Sequence, residues 1–125
     1  MQVLVIGSAL REVCGDQAAL GLAFVEEVRT APRYRLWMLD GRFAALVEAD
    51  EGGIAVPGEL VEVDDATWTR ILEDEPEGIH IGDVRLEDGR TAPAALGDPA
   101  VLAERGTEIT SHGGFAAWWR ATRDA

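Results

Sequence analysis

Several scarcities narrow what this chain can be. It carries one cysteine, Cys14, in 125 residues, which excludes an internal disulfide framework and a cysteine-based zinc site and fits a reducing compartment. No histidine stands near Cys14 in sequence to activate it, so it reads as a small packing side chain. The two histidines, His80 and His112, lie far apart with no companion at metal-ligand spacing, and no metal site is expected. No apolar run approaches the roughly 20 residues needed to span a bilayer as a helix. The N-terminal apolar run is short and no basic segment precedes it, so a secretory signal is not expected and the cytoplasm is the default location. Lysine is absent, which leaves arginine as the source of all 11 basic side chains. Aromatic residues make up only 6% of the chain. The tryptophans Trp37, Trp68, Trp118 and Trp119 fall where packing needs bulk.

What is present points to one globular domain over residues 1–125. The length suits a single domain and the 47% hydrophobic content argues against disorder. The net charge of −12 is concentrated: residues 43–77 hold eleven acids and one arginine, whereas residues 1–42 hold five of each. A nucleic-acid partner is therefore excluded, because a phosphate backbone requires a basic face. The densest positive spot is Arg29, Arg33 and Arg35 around Tyr34. Guanidinium forks of this kind can hold a carboxylate, or can simply end a surface element.

Residues 2–6 read as a buried strand, broken by the small-residue turn Gly7-Ser8-Ala9-Leu10. Gly7 and Ser8 allow a partner to approach the main-chain amides, so the turn is either an anion or carboxylate nest or a plain connection. The spacing of Leu20, Phe24, Val25 and Val28 predicts a helix over Asp16–Arg29, stopped by Thr30-Ala31-Pro32. Strands are predicted at 33–39, 43–48, 54–56 and 59–63, with Asp40-Gly41 as a hairpin signal. Asp64 or Asp65 caps a second helix that ends before Pro76. A hairpin over 81–96 turns at Glu87-Asp88-Gly89, Asp98-Pro99 opens a short helical turn, and a last helix runs from about Phe115 to Arg123. The sum is an α+β domain with a small, mostly antiparallel, barrel-like sheet and a few helices. No G-x-G-x-x-G motif or regular strand–helix alternation supports dinucleotide binding, and no cofactor is implied.

Read together, Val5–Leu10, Arg29–Leu36, Pro57–Val63 with the Trp68 helix, Pro76–Leu86, Asp88–Arg90, Glu108–Thr110 and Gly113–Phe115 resemble the C-terminal domain of allophanate hydrolases, a γ-glutamylcyclotransferase-like fold. The resemblance covers nearly the whole chain and rests on the order of segments rather than on one specific motif. It implies a cavity whose rim includes Gly7, Ser8, Ala9 and Leu10, binding a small carboxylated or amide-containing metabolite. In cyclotransferases of this fold the turn holds the substrate's amino-acid end and a later Glu is the acid/base. In allophanate hydrolases a His in the turn is associated with decarboxylation. The resemblance also leaves open a homodimer or a separate amidase partner, because the chain lacks an amidase portion.

Two departures from the family pattern stand out. Ala9 occupies the place of the turn His and can neither give nor take a proton. Pro76 occupies the place of the acid/base Glu, flanked by Glu75 and Glu77. Either carboxylate can take the role, since Glu73 and Asp74 disfavour further negative charge nearby, or the run is an acidic solvated turn. The candidate set is therefore Glu75 and Glu77 for proton transfer and Gly7, Ser8, Ala9, Leu10, Arg29, Tyr34 and Arg35 for binding. The rival reading is a non-catalytic accessory or interaction module that has lost its acid/base residues.

Overall fold

Strand β1 (Gln2–Val5) opens a computed structural model that describes residues 1–123. It pairs antiparallel with β5 (Pro57–Glu62), whose other edge carries β2 (Ala23–Arg29), giving a three-stranded sheet in the order β1-β5-β2. Being central, β5 buries both faces: Leu60 and Val61 are adjacent in sequence and both sequestered, where an edge strand would alternate. The second sheet has the order β6-β7-β4-β3-β8, with β3 Tyr34–Leu39, β4 Phe43–Glu48, β6 Ile79–Arg85, β7 Thr91–Gly97 and β8 Gly106–Glu108. All its pairings are antiparallel except β4 with β7, which meet in parallel at Leu46 and Leu96.

Local chemistry sets the connections. Between β3 and β4, Asp40 (φ 54°) and Gly41 (φ 67°) both adopt left-handed backbone, the signature of a type I′ turn that matches strand twist. Helix α1 is a single turn, Arg11–Cys14. Helix α2 (Asp65–Glu73) starts where Asp64 Oδ1 accepts from the Thr67 amide at 2.8 Å. Helix α3 (Pro99–Arg105) has proline at its first position and Asp98 accepting from the Ala100 amide. Helix α4 (Phe115–Arg123) packs Phe115 into the core, with Trp118 and Trp119 against it. Among the described residues the fold is thus α+β, with two sheets and four short α-helices.

The helix expected over Asp16–Arg29 is not there. A 3-10 turn at Ala18–Leu20 is followed directly by β2. Gly15 (φ 79°) and Gly21 (φ 78°) sit in conformations that interrupt a helix on both sides of that turn. The residues at helical spacing, Phe24 and Val28, instead pair with Val61 and Gly58 of β5, with a bulge at Val25. Their spacing was coincidental, and long-range pairing decides the outcome. The predicted strand at 54–56 is reduced to one bridge from Ile54 to Tyr34, while α1 and β8 are too short to leave a period in the sequence.

The main core lies between the sheets and includes Leu4, Ile6, Tyr34, Leu36, Leu46, Val56, Leu60, Val84, Ile109 and Phe115. The seam between the sheets passes through Thr30. It is fully buried, bridges Leu86, accepts from the Val56 amide through Oγ1 at 2.9 Å and donates to the Ala31 carbonyl. Thr30→Val keeps the shape but strands the Val56 amide in the core, so urea unfolding is expected to show a loss of about 1–3 kcal/mol. An unchanged midpoint would mean that the seam does not need this hydroxyl.

Candidate functional site

The turn after β1 is built by close approach rather than by unusual torsion. Gly7 is buried, and a β-carbon placed on it would stand 2.8 Å from Ala44 Cβ. The Leu10 amide donates to the Gly7 carbonyl at 3.0 Å, closing the turn. Among the described residues, the Ser8 and Ala9 amides have no hydrogen-bond partner.

These residues line a cavity of about 340 Å3 whose walls are mostly apolar, with Phe43, Trp68 and Ile71 among them. Glu75 comes into it from the segment between α2 and β6. Its carboxyl is pushed above its ordinary value of 4.5, chiefly because burial disfavours the charged form and secondarily because of the Asp74 charge. Two guanidiniums also reach the cavity. Arg70 is committed, donating from Nη2 to the Leu20 carbonyl at 3.0 Å, whereas Arg42 lies 5.1 Å from the Phe43 ring centre with no carboxylate partner among the described residues. Residues with free backbone donors, a carboxyl of raised pKa and an unmatched guanidinium thus line one small apolar space.

A larger cleft of about 880 Å3 lies beyond the turn, lined by Leu10, Arg29, Glu59 and His112 among others. Much of its charge is satisfied internally: Arg11 Nε reaches Glu59 Oε2 at 2.9 Å, and Arg120 pairs with Glu12 at 2.6 Å.

The structure therefore divides the candidates read from sequence. Gly7, Ser8, Ala9 and Glu75 share one cavity. Leu10 and Arg29 line the other cleft. Tyr34 is in the core, its hydroxyl accepting from the Arg85 amide at 2.9 Å. Arg35 is held by Glu108 at 3.2 Å and by the Glu51 carbonyl at 2.9 Å. Glu77 is exposed and lines neither space, as is His80. Arg42 was not singled out from sequence. Its signal was the Asp40-Gly41 hairpin, which fixes where the next side chain emerges, but not that β4 would lie against Gly7. Among the described residues no cluster of His, Cys, Asp and Glu could hold a metal ion, and no helix is long and apolar enough to cross a membrane.

Fold and geometry define a small two-sheet α+β domain whose β1 turn and half-buried Glu75 share a cavity. Residues 1–120 match the allophanate hydrolase C-terminal domain, and the chain belongs to that family. Among solved structures it is similar to a uropathogenic E. coli-specific protein, at 29% identity and TM-score 0.79, covering 97% of this chain and 94% of that one. It also superposes on Kluyveromyces lactis urea amidolyase (TM-score 0.83, 19% identity, 97% of this chain) and on an S177A form of that organism's allophanate hydrolase (TM-score 0.80, 19% identity, 94% of this chain). This chain spans only 8% and 20% of those two proteins, and at such identity the likeness shows the fold. No curated protein matches the sequence.

The raised Glu75 pKa has a stability consequence. Between 4.5 and the folded value the folded state binds more protons than the unfolded one, so stability falls as pH rises through that window. Glu75→Gln removes this effect. The variant is expected to melt above the wild type at about pH 7 and to converge with it below about pH 4 in scanning calorimetry. A gap independent of pH would mean that the carboxyl is not desolvated.

Proposed function

We propose that the cavity bounded by Gly7, Ser8, Ala9, Arg42 and Glu75 binds a small carboxylated or amide-containing compound, with Glu75 as the proton carrier. The observation that carries this reading is that Glu75, with its raised pKa, lines the same cavity as Ser8 and Ala9, whose amides have no partner among the described residues. An anionic end or carbonyl oxygen suits the Ser8 and Ala9 amides, and a carboxylate suits the Arg42 fork. A carboxyl that keeps its proton nearer to neutral pH is the better general acid/base. On a γ-glutamyl amine, the substrate's own α-amine attacks the γ-amide carbonyl, forming the ring C–N bond. Glu75 relays the proton from that amine to the departing amine as the amide C–N bond breaks. Apolar walls strengthen both the hydrogen bonds and the proton transfer.

A second reading is favoured by Ala9. Its methyl group stands where the turn that the resemblance implies carries a His, and this fold forms a small part of the longer K. lactis urea amidolyase and allophanate hydrolase. On that reading the domain holds its ligand without converting it and works beside a separate amidase.

The test is a thermal-shift titration with γ-glutamyl amines, carbamates, ureas and small carboxylates, repeated on Ser8→Trp, which places an indole over the turn. At a ligand concentration 100 times Kd, stabilisation of about 2.7 kcal/mol is expected in the wild type and none in the variant. Turnover assays on the stabilising class then separate catalysis from holding. Equal stabilisation of both proteins, or of neither, would overturn the proposed site.

A further inference from the structure

The turn that presents the Ser8 and Ala9 amides is held from outside the cavity by two buried polar side chains. Gln17 and Glu59 are only 6% and 7% exposed. Gln17 Nε2 donates to the Ala9 carbonyl at 2.9 Å and to Glu59 Oε1 at 2.9 Å. The same Glu59 oxygen accepts from the Arg11 amide at 3.0 Å, and Glu59 Oε2 accepts from Arg11 Nε at 2.9 Å. The two residues flanking Leu10 are thereby tied to one point on β5. Neither Gln17 nor Glu59 lines the cavity itself.

The local sequence cannot do this alone. Helix α1 is one turn long, and its N-cap position is Leu10, whose side chain offers no acceptor. Glu59 supplies the missing cap from β5, placing a carboxylate on the first amide of the helix, where negative charge is favoured. Gln17 is an expensive way to fill its place if packing were its only use, because its Oε1 is buried without a partner among the described residues. A leucine would occupy similar space without an orphaned acceptor.

We propose that Gln17 and Glu59 are positioning residues that fix the Gly7–Leu10 turn in its ligand-receiving geometry. The inference rests on the proposed function for its consequence in binding, but not for its structural content. Glu59 acts as a remote cap and Gln17 as the strut between that cap and the turn carbonyl. Removing the strut frees the turn while leaving the two-sheet core in place, because the lost donors and the relieved orphan offset one another globally.

The test uses the full chain and two readouts on Gln17→Leu and Glu59→Gln. Amide hydrogen exchange is followed at Leu10, Val13 and Cys14, whose N–H groups bond to Gly7 and Leu10 carbonyls and not to the altered side chains, with β3 and β4 amides as reference. The ligand panel of the thermal-shift titration supplies the second readout. For Gln17→Leu the expected result is exchange at least about tenfold faster at the turn, unchanged exchange in β3 and β4, a similar melting temperature and a reduced ligand shift. Glu59→Gln retains an acceptor for the Arg11 amide and is expected to fall between that variant and the wild type. Uniformly faster exchange throughout, or a turn as protected as in the wild type, would overturn the positioning role. If no ligand stabilises even the wild type while the turn amides respond as expected, the proposed ligand class fails and the brace stands.

Discussion

The contact between Gly7 and Ala44 fixes where everything else in the site can form. A β-carbon at Gly7 would meet that of Ala44 at 2.8 Å, nearer than side chains pack, so only glycine lets the end of β1 rest on β4. A second glycine makes a matching approach: a β-carbon on Gly58 would lie 2.7 Å from the Val5 carbonyl oxygen. Together they let β1 lie close against β5 and let the residue after β1 touch β4 of the second sheet at one point, beside the side-chain core that fills the rest of the space between the sheets. The chain must then turn at once, and that turn leaves two amides unpaired beside the walls formed by α2 and β7. The cavity follows from the close approach.

The electrostatics divide along the same line. The chain is strongly acidic, yet most of its arginines are committed to ion pairs that hold elements in place, as Arg35 is to Glu108 and Arg90 to Glu26. Pairs of this sort, exposed as Arg90–Glu26 is or half-exposed as Arg35–Glu108 is, add little stability. Inside the cavity the balance differs. Glu75 is partly withdrawn from water and shifted toward its neutral form, and Arg42 has no carboxylate to answer it. Such mismatch in a small apolar space is where pKa tuning and ligand recognition are ordinarily found. The larger cleft, in contrast, has its deepest carboxylate, Glu59, saturated by Arg11 and Gln17.

The parts of this arrangement that are local were legible in the sequence. Asp64 capping α2, Asp98-Pro99 opening α3, the Asp40-Gly41 turn and the hairpin at Asp88-Gly89 all obey rules that act over a few residues, and each forms where expected. The family resemblance carried the fold beyond that. The failure at residues 16–29 came from a competition that local rules cannot settle, since Phe24 and Val28 satisfy a helical period but gain more by pairing with β5. The site was half legible for the same reason. Gly7, Ser8 and Ala9 announce a turn, and the acidic run around Pro76 offers Glu75 and Glu77 alike, between which only the structure distinguishes. Arg42, Gln17 and Glu59 acquire meaning only once β4 and β5 are placed against the turn. Arg29 and Arg35 looked suitable by charge density alone, yet the sheet directs them elsewhere.

The claim on which this account rests is that one cavity, between the β1 turn and Glu75, receives the ligand. Its most direct test is a proton–nitrogen NMR titration of the 15N-labelled protein with a small γ-glutamyl amine. The account predicts saturable shifts concentrated at the Ser8 and Ala9 amides and the Glu75 segment, with the Arg42 side chain following. Shifts confined to Arg29, His112 and the start of α4 would place the ligand in the other cleft and contradict it.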